Sequence, residues 1–127
     1  MAKQHSPGFV RVVEAVRANI CECSIAEFKA KFDSQHPPVL IDVREASEFA
    51  AGHVPGAIHL SKGIIERDIE ERFPDPSTEL HLMCGGGYRS ALAADNLQKM
   101  GYTRIVSVDG GWRGWTEAGF PVERDAG

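Results

Sequence analysis

The chain has no long apolar run, little cysteine and no surplus of basic charge, and each lack closes off a class of function. No stretch approaches the ~18 consecutive apolar residues of a membrane-spanning helix. Three cysteines cannot all pair within one chain, which argues against a small domain held by disulfides. Lysine and arginine total 14 against 18 acids, a formal charge of −4. That balance gives no global attraction for nucleic acid or an anionic membrane. An anionic substrate would have to be drawn in by a local positive site. Lys3, Arg11, Glu14 and Arg17 interrupt any apolar stretch near the start, so no signal peptide is expected and a reducing cytoplasm is the expected compartment.

What is present is ordinary globular material. The 127 residues are 43% hydrophobic and 25% charged, enough for one domain and not two. Ser6-Pro7 reads as a helix start, and Phe9, Val12, Val13, Val16 and Ile20 follow at helical spacing, so a first helix is expected across the outside of the domain. Ser24 to Glu27 has the spacing of a capping box, and Phe28 and Phe32 continue that helix up to Pro37-Pro38. The runs 39–43, 57–60, 80–83 and 105–108 read as strands. Helical patterns fall between and after them at 46–51, around Ile65, Ile69 and Phe73, at 90–100 and at 112–118. Strands alternating with helices imply an α/β fold with a mainly parallel sheet and helices on both faces. Ligands of such sheets sit beyond the carboxyl ends of the strands.

One loop at that edge carries chemistry. Cys84-Gly85-Gly86-Gly87-Tyr88-Arg89-Ser90 joins the third expected strand to its helix. Unpaired N–H groups and the helix dipole place positive charge at a helix start. Three glycines let the loop curl so that several N–H groups face one concavity. Arg89 adds a permanent cation with a planar fork of donors. Settings of this kind bring cysteine pKa values from ~8.5 down to roughly 3.5–7.5, which makes Cys84 the candidate nucleophile rather than merely a small buried residue. A Walker loop is excluded because no lysine follows the glycines. A dinucleotide fingerprint is excluded because only 37 residues follow Ser90, too few to complete that fold.

These residues resemble the single-domain rhodanese-like sulfurtransferase family. The resemblance rests on Cys84-x-x-Gly87-x-Arg89-Ser90, on Leu40 to Glu45 followed by Glu48-Phe49, on Gly52 to Ala57, and on Asp109-Gly110-Gly111-Trp112. It runs from about Cys23 to Val122 and divides the chain into an N-terminal helical extension, residues 1–22, and a rhodanese-like domain, residues 23–127. No task is assigned to the extension. The resemblance implies a three-layer domain with a five-stranded sheet and a persulfide formed on Cys84. Arg89 would be catalytic together with Cys84, and Gly85, Gly86, Gly87, Tyr88 and Ser90, with Arg44, would bind the substrate. No cofactor is implied. The implied partners are a small sulfur donor such as thiosulfate and a thiol or cyanide acceptor, a thioredoxin-like protein being one candidate. Four residues separate Cys84 from Arg89. Related phosphatases have five, and one residue adds at most ~3.5 Å of chain, so the shorter loop favours sulfur. The loop offers glycines and one tyrosine where further basic side chains would help hold thiosulfate, so modest activity on that donor is expected.

Other residues carry two readings. Arg44 ends a strand at the same edge and could attract an anion, or it could pair with Asp42, Glu45 or Glu48 as scaffold. Asp42 reads as a loop-holding acceptor, and His53 as a turn-stabilising imidazole rather than a general base. Cys21 and Cys23 lack the spacing and further ligands of a zinc site and read as inert, not as resolving thiols. Trp112 and Trp115 read as packing, with Trp112 also placed to wall a pocket. The alternative to an enzyme is a rhodanese-like sulfur-carrier, sensing or protein-interaction module.

Overall fold

Strands too apolar to face water must be covered on both sides, and the computed structural model of the protein, which describes residues 5–125, shows how. The remaining residues, 1–4 and 126–127, fall within the two expected segments but outside the described part, Lys3 among them. The elements are α1 (Pro7–Arg17), β1 (Cys21–Cys23), α2 (Ile25–Phe32), β2 (Val39–Asp42), α3 (Ala46–Ala51), β3 (Ile58–His59), α4 (Ile65–Arg72), β4 (Leu80–Met83), α5 (Tyr88–Lys99), β5 (Ile105–Val108) and α6 (Gly111–Glu117). Five strands form one sheet in the order β1-β5-β4-β2-β3, and every pairing is parallel.

Alternation along the central strands fills two cores. Leu80 and Leu82 of β4 point to one face with Ile41, Ile105, Ile65 and Ile69 of α4, and Ala93 and Leu97 of α5. Met83 points to the other, with Leu40, Val108, Phe28 of α2 and Trp115 of α6. Burying a side chain of the size of Phe28 or Leu97 contributes ~1.5–3 kcal/mol. The Ser24 capping box forms as its spacing predicts, with the Glu27 N–H donating to Ser24 Oγ and the Ser24 N–H donating to Glu27 Oε1. Ser6 occupies the N-cap of α1, yet its hydroxyl makes no cap bond.

Two differences from the sequence reading matter. The strand pattern alone indicated four strands, and the fifth is β1, which spans the expected boundary between residues 22 and 23. Its three residues, Cys-Glu-Cys, have no strand signature of their own. Parallel pairing with Val106, Ser107 and Val108 of β5 makes them a strand. On α1 the inward stripe is Phe9, Val13 and Val16, whereas Val12 is 55% exposed. α1 lies against α5 in the outer layer, which brings its start above the beginning of α5.

Candidate active site

Cys84 follows β4 directly, so the rigid centre of the sheet fixes its position, and it is almost wholly buried. The loop after it is held from behind by α6. The N–H groups of Trp112, Arg113 and Gly110 donate to the carbonyls of Cys84 (2.8 Å), Gly85 (3.0 Å) and Gly86 (3.3 Å). With its carbonyls turned toward α6, the loop directs N–H groups the other way. The Gly87 N–H donates to Cys84 Sγ at 3.0 Å. The N–H groups of Gly85, Gly86, Tyr88 and Arg89 have no acceptor among the described residues. Two glycines make this possible. Gly87 takes φ +109 at the turn into α5, and Gly111 takes φ +47 so close to the loop that a Cβ there would lie 2.3 Å from the Cys84 carbonyl oxygen.

Below the sulfur runs a buried chain of hydroxyls. Ser90 Oγ is 3.6 Å from Cys84 Sγ, and 2.8 Å from Ser107 Oγ on β5. Both serines are fully buried. Above it opens a cavity of about 710 Å³ lined by Cys84, Gly85, Gly86, Tyr88, Arg89 and Arg113, with Glu48 on one side and His5, Ser6 and Phe9 on another. Arg89 donates to both carboxylate oxygens of Glu48, at 2.8 and 3.3 Å. That guanidinium holds the Glu48 carboxyl below its ordinary range, aided by the Glu45 N–H that Glu48 accepts as the cap of α3. Tyr88 is covered by the rings of His5 (4.2 Å between centroids) and Phe9 (5.6 Å), with the Arg17 guanidinium 5.0 Å from its ring.

The structure therefore brings together Cys84, Gly85, Gly86, Gly87, Tyr88, Arg89 and Ser90. Arg44, placed by sequence among the anion-binding candidates, takes its other reading. It is 3% exposed, its guanidinium donates to both oxygens of Asp42 (2.9–3.2 Å) and to the Gly52 carbonyl (2.6 Å), and it lies 4.8 Å from the Trp112 ring. It does not line the cavity. Asp42 also accepts the Arg44 N–H, the loop-holding role expected of it. His53 Nδ1 sits 2.8 Å from the Phe49 carbonyl and its ring stacks on Phe49, a turn-stabilising arrangement. Cys21 is exposed on the edge strand, and burial pushes the Cys23 thiol up to about 11, away from reactivity. Trp115 is core, and Trp112 packs between Gly52 and Arg44.

Residue-by-residue reasoning missed Arg113, Glu48 as the Arg89 partner, Ser107 and the α1 wall. Arg113 brings to the cavity a second guanidinium that the loop itself lacks. The rule that led to Cys84 would have found it, since Asp109 to Gly111 is a second glycine-bearing strand-to-helix turn at the same edge.

Comparison with known proteins bears on the family and the fold. A family model, Rhodanese-like domain, matches residues 24–118. A protein of Bacillus subtilis (strain 168) named "Putative sulfur carrier protein YrkF" is 34% identical over 99 residues, covering 78% of this chain and 52% of its own length. The chain thus spans about half of that relative. The structure of RPA3614 from Rhodopseudomonas palustris CGA009, described as a protein of unknown function and "Possible Tyrosine Phosphatase", superposes with TM-score 0.79 at 27% identity, covering 97% of this chain and 99% of that one. The polysulfide-sulfur transferase homodimer of Wolinella succinogenes superposes with TM-score 0.76 at 28% identity, over 94% and 89%. Among the described residues no helix is long and apolar enough to cross a membrane.

Proposed function

The chain belongs to the rhodanese-like domain family, whose solved structures include a polysulfide-sulfur transferase similar to it, and from that premise we propose that it moves sulfane sulfur through a persulfide on Cys84. The Cys84 thiolate attacks the outer sulfur of a donor such as thiosulfate. The Sγ–S bond forms as the donor's S–S bond breaks, and sulfite leaves with the electron pair. An acceptor thiolate or cyanide then attacks the outer sulfur of the persulfide and regenerates Cys84. No electron enters or leaves, and this double displacement needs no cofactor.

The observation that carries the reading is the Gly87 N–H on Cys84 Sγ at 3.0 Å, within a ring of amides that have no other acceptor among the described residues. Those dipoles and the start of α5 stabilise negative charge on sulfur. Ser107 can donate to Ser90, whose own hydroxyl then turns to the thiolate. Arg89 and Arg113 attract an anionic donor against a net charge of −4. The four-residue loop supports sulfur over a phosphate ester, the chemistry suggested for RPA3614. The physiological acceptor is read as a thiol, a thioredoxin-like protein being one form of it, and the three unpaired cysteines fit a reducing cytoplasm.

A second reading is favoured by the name of the Bacillus relative: a sulfur carrier that holds the persulfide for a partner without turning over small molecules. Steady-state kinetics with thiosulfate and cyanide separate the two. An enzyme gives parallel double-reciprocal lines and loses turnover in Cys84→Ser. A carrier forms the persulfide and releases it to neither cyanide nor free thiol.

A further inference from the structure

The cavity above Cys84 is built for more than thiosulfate. Its volume, about 710 Å³, falls among sites that enclose organic ligands, roughly 300–1,000 Å³, whereas thiosulfate has only a handful of heavy atoms. The surplus space has a distinct chemistry. One wall is aromatic: His5 and Phe9, 5.3 Å apart, stand against Tyr88. His5 and Phe9 come from the segment that precedes the matched family domain, residues 24–118, and Tyr88 from within it. Arg113 lines the same cavity, carried on α6 with its backbone N–H fixed to the Gly85 carbonyl. The two guanidinium groups of the cavity differ. Arg89 is committed to Glu48, while that of Arg113 pairs with no carboxylate among the described residues. Ser6, left without a capping bond, offers its hydroxyl to the same space.

We propose that His5, Phe9 and Tyr88, with Arg113, form a second subsite that binds the organic, carboxylate-bearing part of a low-molecular-weight persulfide or thiol while its sulfur reaches Cys84. Phe9 and Tyr88 cover the aliphatic and amide portions, and Arg113 takes a carboxylate as a fork of two N–H donors. This rests on the sulfur-transfer reading for its chemistry but not for its binding geometry. With such a donor the Cys84 thiolate attacks the terminal sulfur, the new Sγ–S bond replaces the donor's S–S bond, and the organic thiolate leaves. Charge and electrons balance with no added oxidant. α1 is then a specificity element: Phe9 acts on the choice of substrate rather than on the sulfur-transfer step, while Arg113 serves any anionic donor and adds a carboxylate contact for the organic one.

The test separates binding from transfer. S-Methylglutathione, which carries two carboxylates and no transferable sulfur, is titrated by calorimetry into the full-length Cys84→Ser protein. Binding is expected, weakened at least tenfold by Phe9→Ala and by Arg113→Gln, partly restored by Arg113→Lys, and lost when both ligand carboxylates are esterified. Absence of binding, or binding indifferent to both substitutions and to esterification, overturns the inference. Donor choice is read in the Cys84 protein as the ratio of kcat/KM for glutathione persulfide to that for thiosulfate, which should fall at least tenfold in Phe9→Ala; Arg113→Gln, which also weakens the hold on anionic thiosulfate, is read by calorimetry alone. An unchanged ratio counts against the subsite. S-Methylglutathione binding with no sulfur taken up from any donor would leave the subsite standing and sink the transfer reading. Uptake from thiosulfate without S-methylglutathione binding does the reverse.

Discussion

Two strand-to-helix turns lie side by side at the carboxyl edge, after the adjacent strands β2 and β4, and each places an arginine against a carboxylate. After β2, Arg44 and Asp42 are 3% and 1% exposed, and the guanidinium spends its donors on Asp42 and the Gly52 carbonyl under the Trp112 ring. After β4, Arg89 and Glu48 keep 32% and 38% of their side-chain surface, and both face the cavity over Cys84. Position at the edge is therefore not what makes an arginine available to a substrate. The first turn turns its arginine back onto the strand that carries Asp42, two residues earlier, and closes. The second is held open because its glycines let α6 grip the loop carbonyls, and because its arginine reaches across to α3 for a partner. One pair is scaffold, and the other is a charged wall of the site.

The contrast predicts opposite responses to losing the acid. Asp42→Ala leaves Arg44 charged and unpaired in the interior, a change that costs about 3–5 kcal/mol in buried pairs. Chemical denaturation should show that loss, with any folded fraction still able to take up sulfur. A loss under 1 kcal/mol would mean that the β2 turn opens to water after all.

Gly111→Ala tests what keeps the second turn open. The added Cβ meets the Cys84 carbonyl oxygen at 2.3 Å, and the left-handed backbone alone costs about 1–3 kcal/mol in a non-glycine residue. Stability should fall by at least that much and sulfur uptake should collapse with it, measured as persulfide formed per folded molecule. Full uptake in a stable variant would break the claim that α6 holds the cradle.

Glu48→Gln should do little to stability, because half-exposed pairs contribute about 0.2–1 kcal/mol. Freed of its partner, Arg89 should change the KM for an anionic donor more than the melting temperature. A large stability loss with unchanged KM would put this pair in the same class as Asp42 and Arg44.

The smallest effect is one of pH. Arg89 depresses the Glu48 carboxyl in the folded protein below its ordinary 4.5. The folded state therefore binds fewer protons there than the unfolded chain, so this contribution is present above about pH 4.5 and is lost as pH falls through the lower folded value. Glu48→Gln should flatten the stability profile in that acid window, with the small loss of stability seen near neutrality fading as pH falls, as followed by thermal melts from pH 3 to 7.

The same contrast explains what could be read from residues alone. Leu80 to Met83 is apolar because β4 is buried on both faces, and Cys84 to Ser90 declares its cradle through three consecutive glycines. Both signals are local. Arg44 was ambiguous because burial of its partner, not its place in the chain, decides its role, and no local pattern reports that burial. β1 was silent because Cys-Glu-Cys is a strand only through its pairing with β5. Arg113 and Phe9 reach Cys84 through the packing of α6 and α1, across distances in sequence that periodicity does not span.

The most direct test of the account is intact-mass analysis of the purified protein after thiosulfate, with and without a chase of excess thiol, followed by peptide mapping. The account predicts a gain of one sulfur atom on Cys84, its removal by the chase, no gain in Cys84→Ser, and full gain in Cys21→Ser and Cys23→Ser. Persulfide on Cys21 or Cys23, or an undiminished gain in Cys84→Ser, would contradict it.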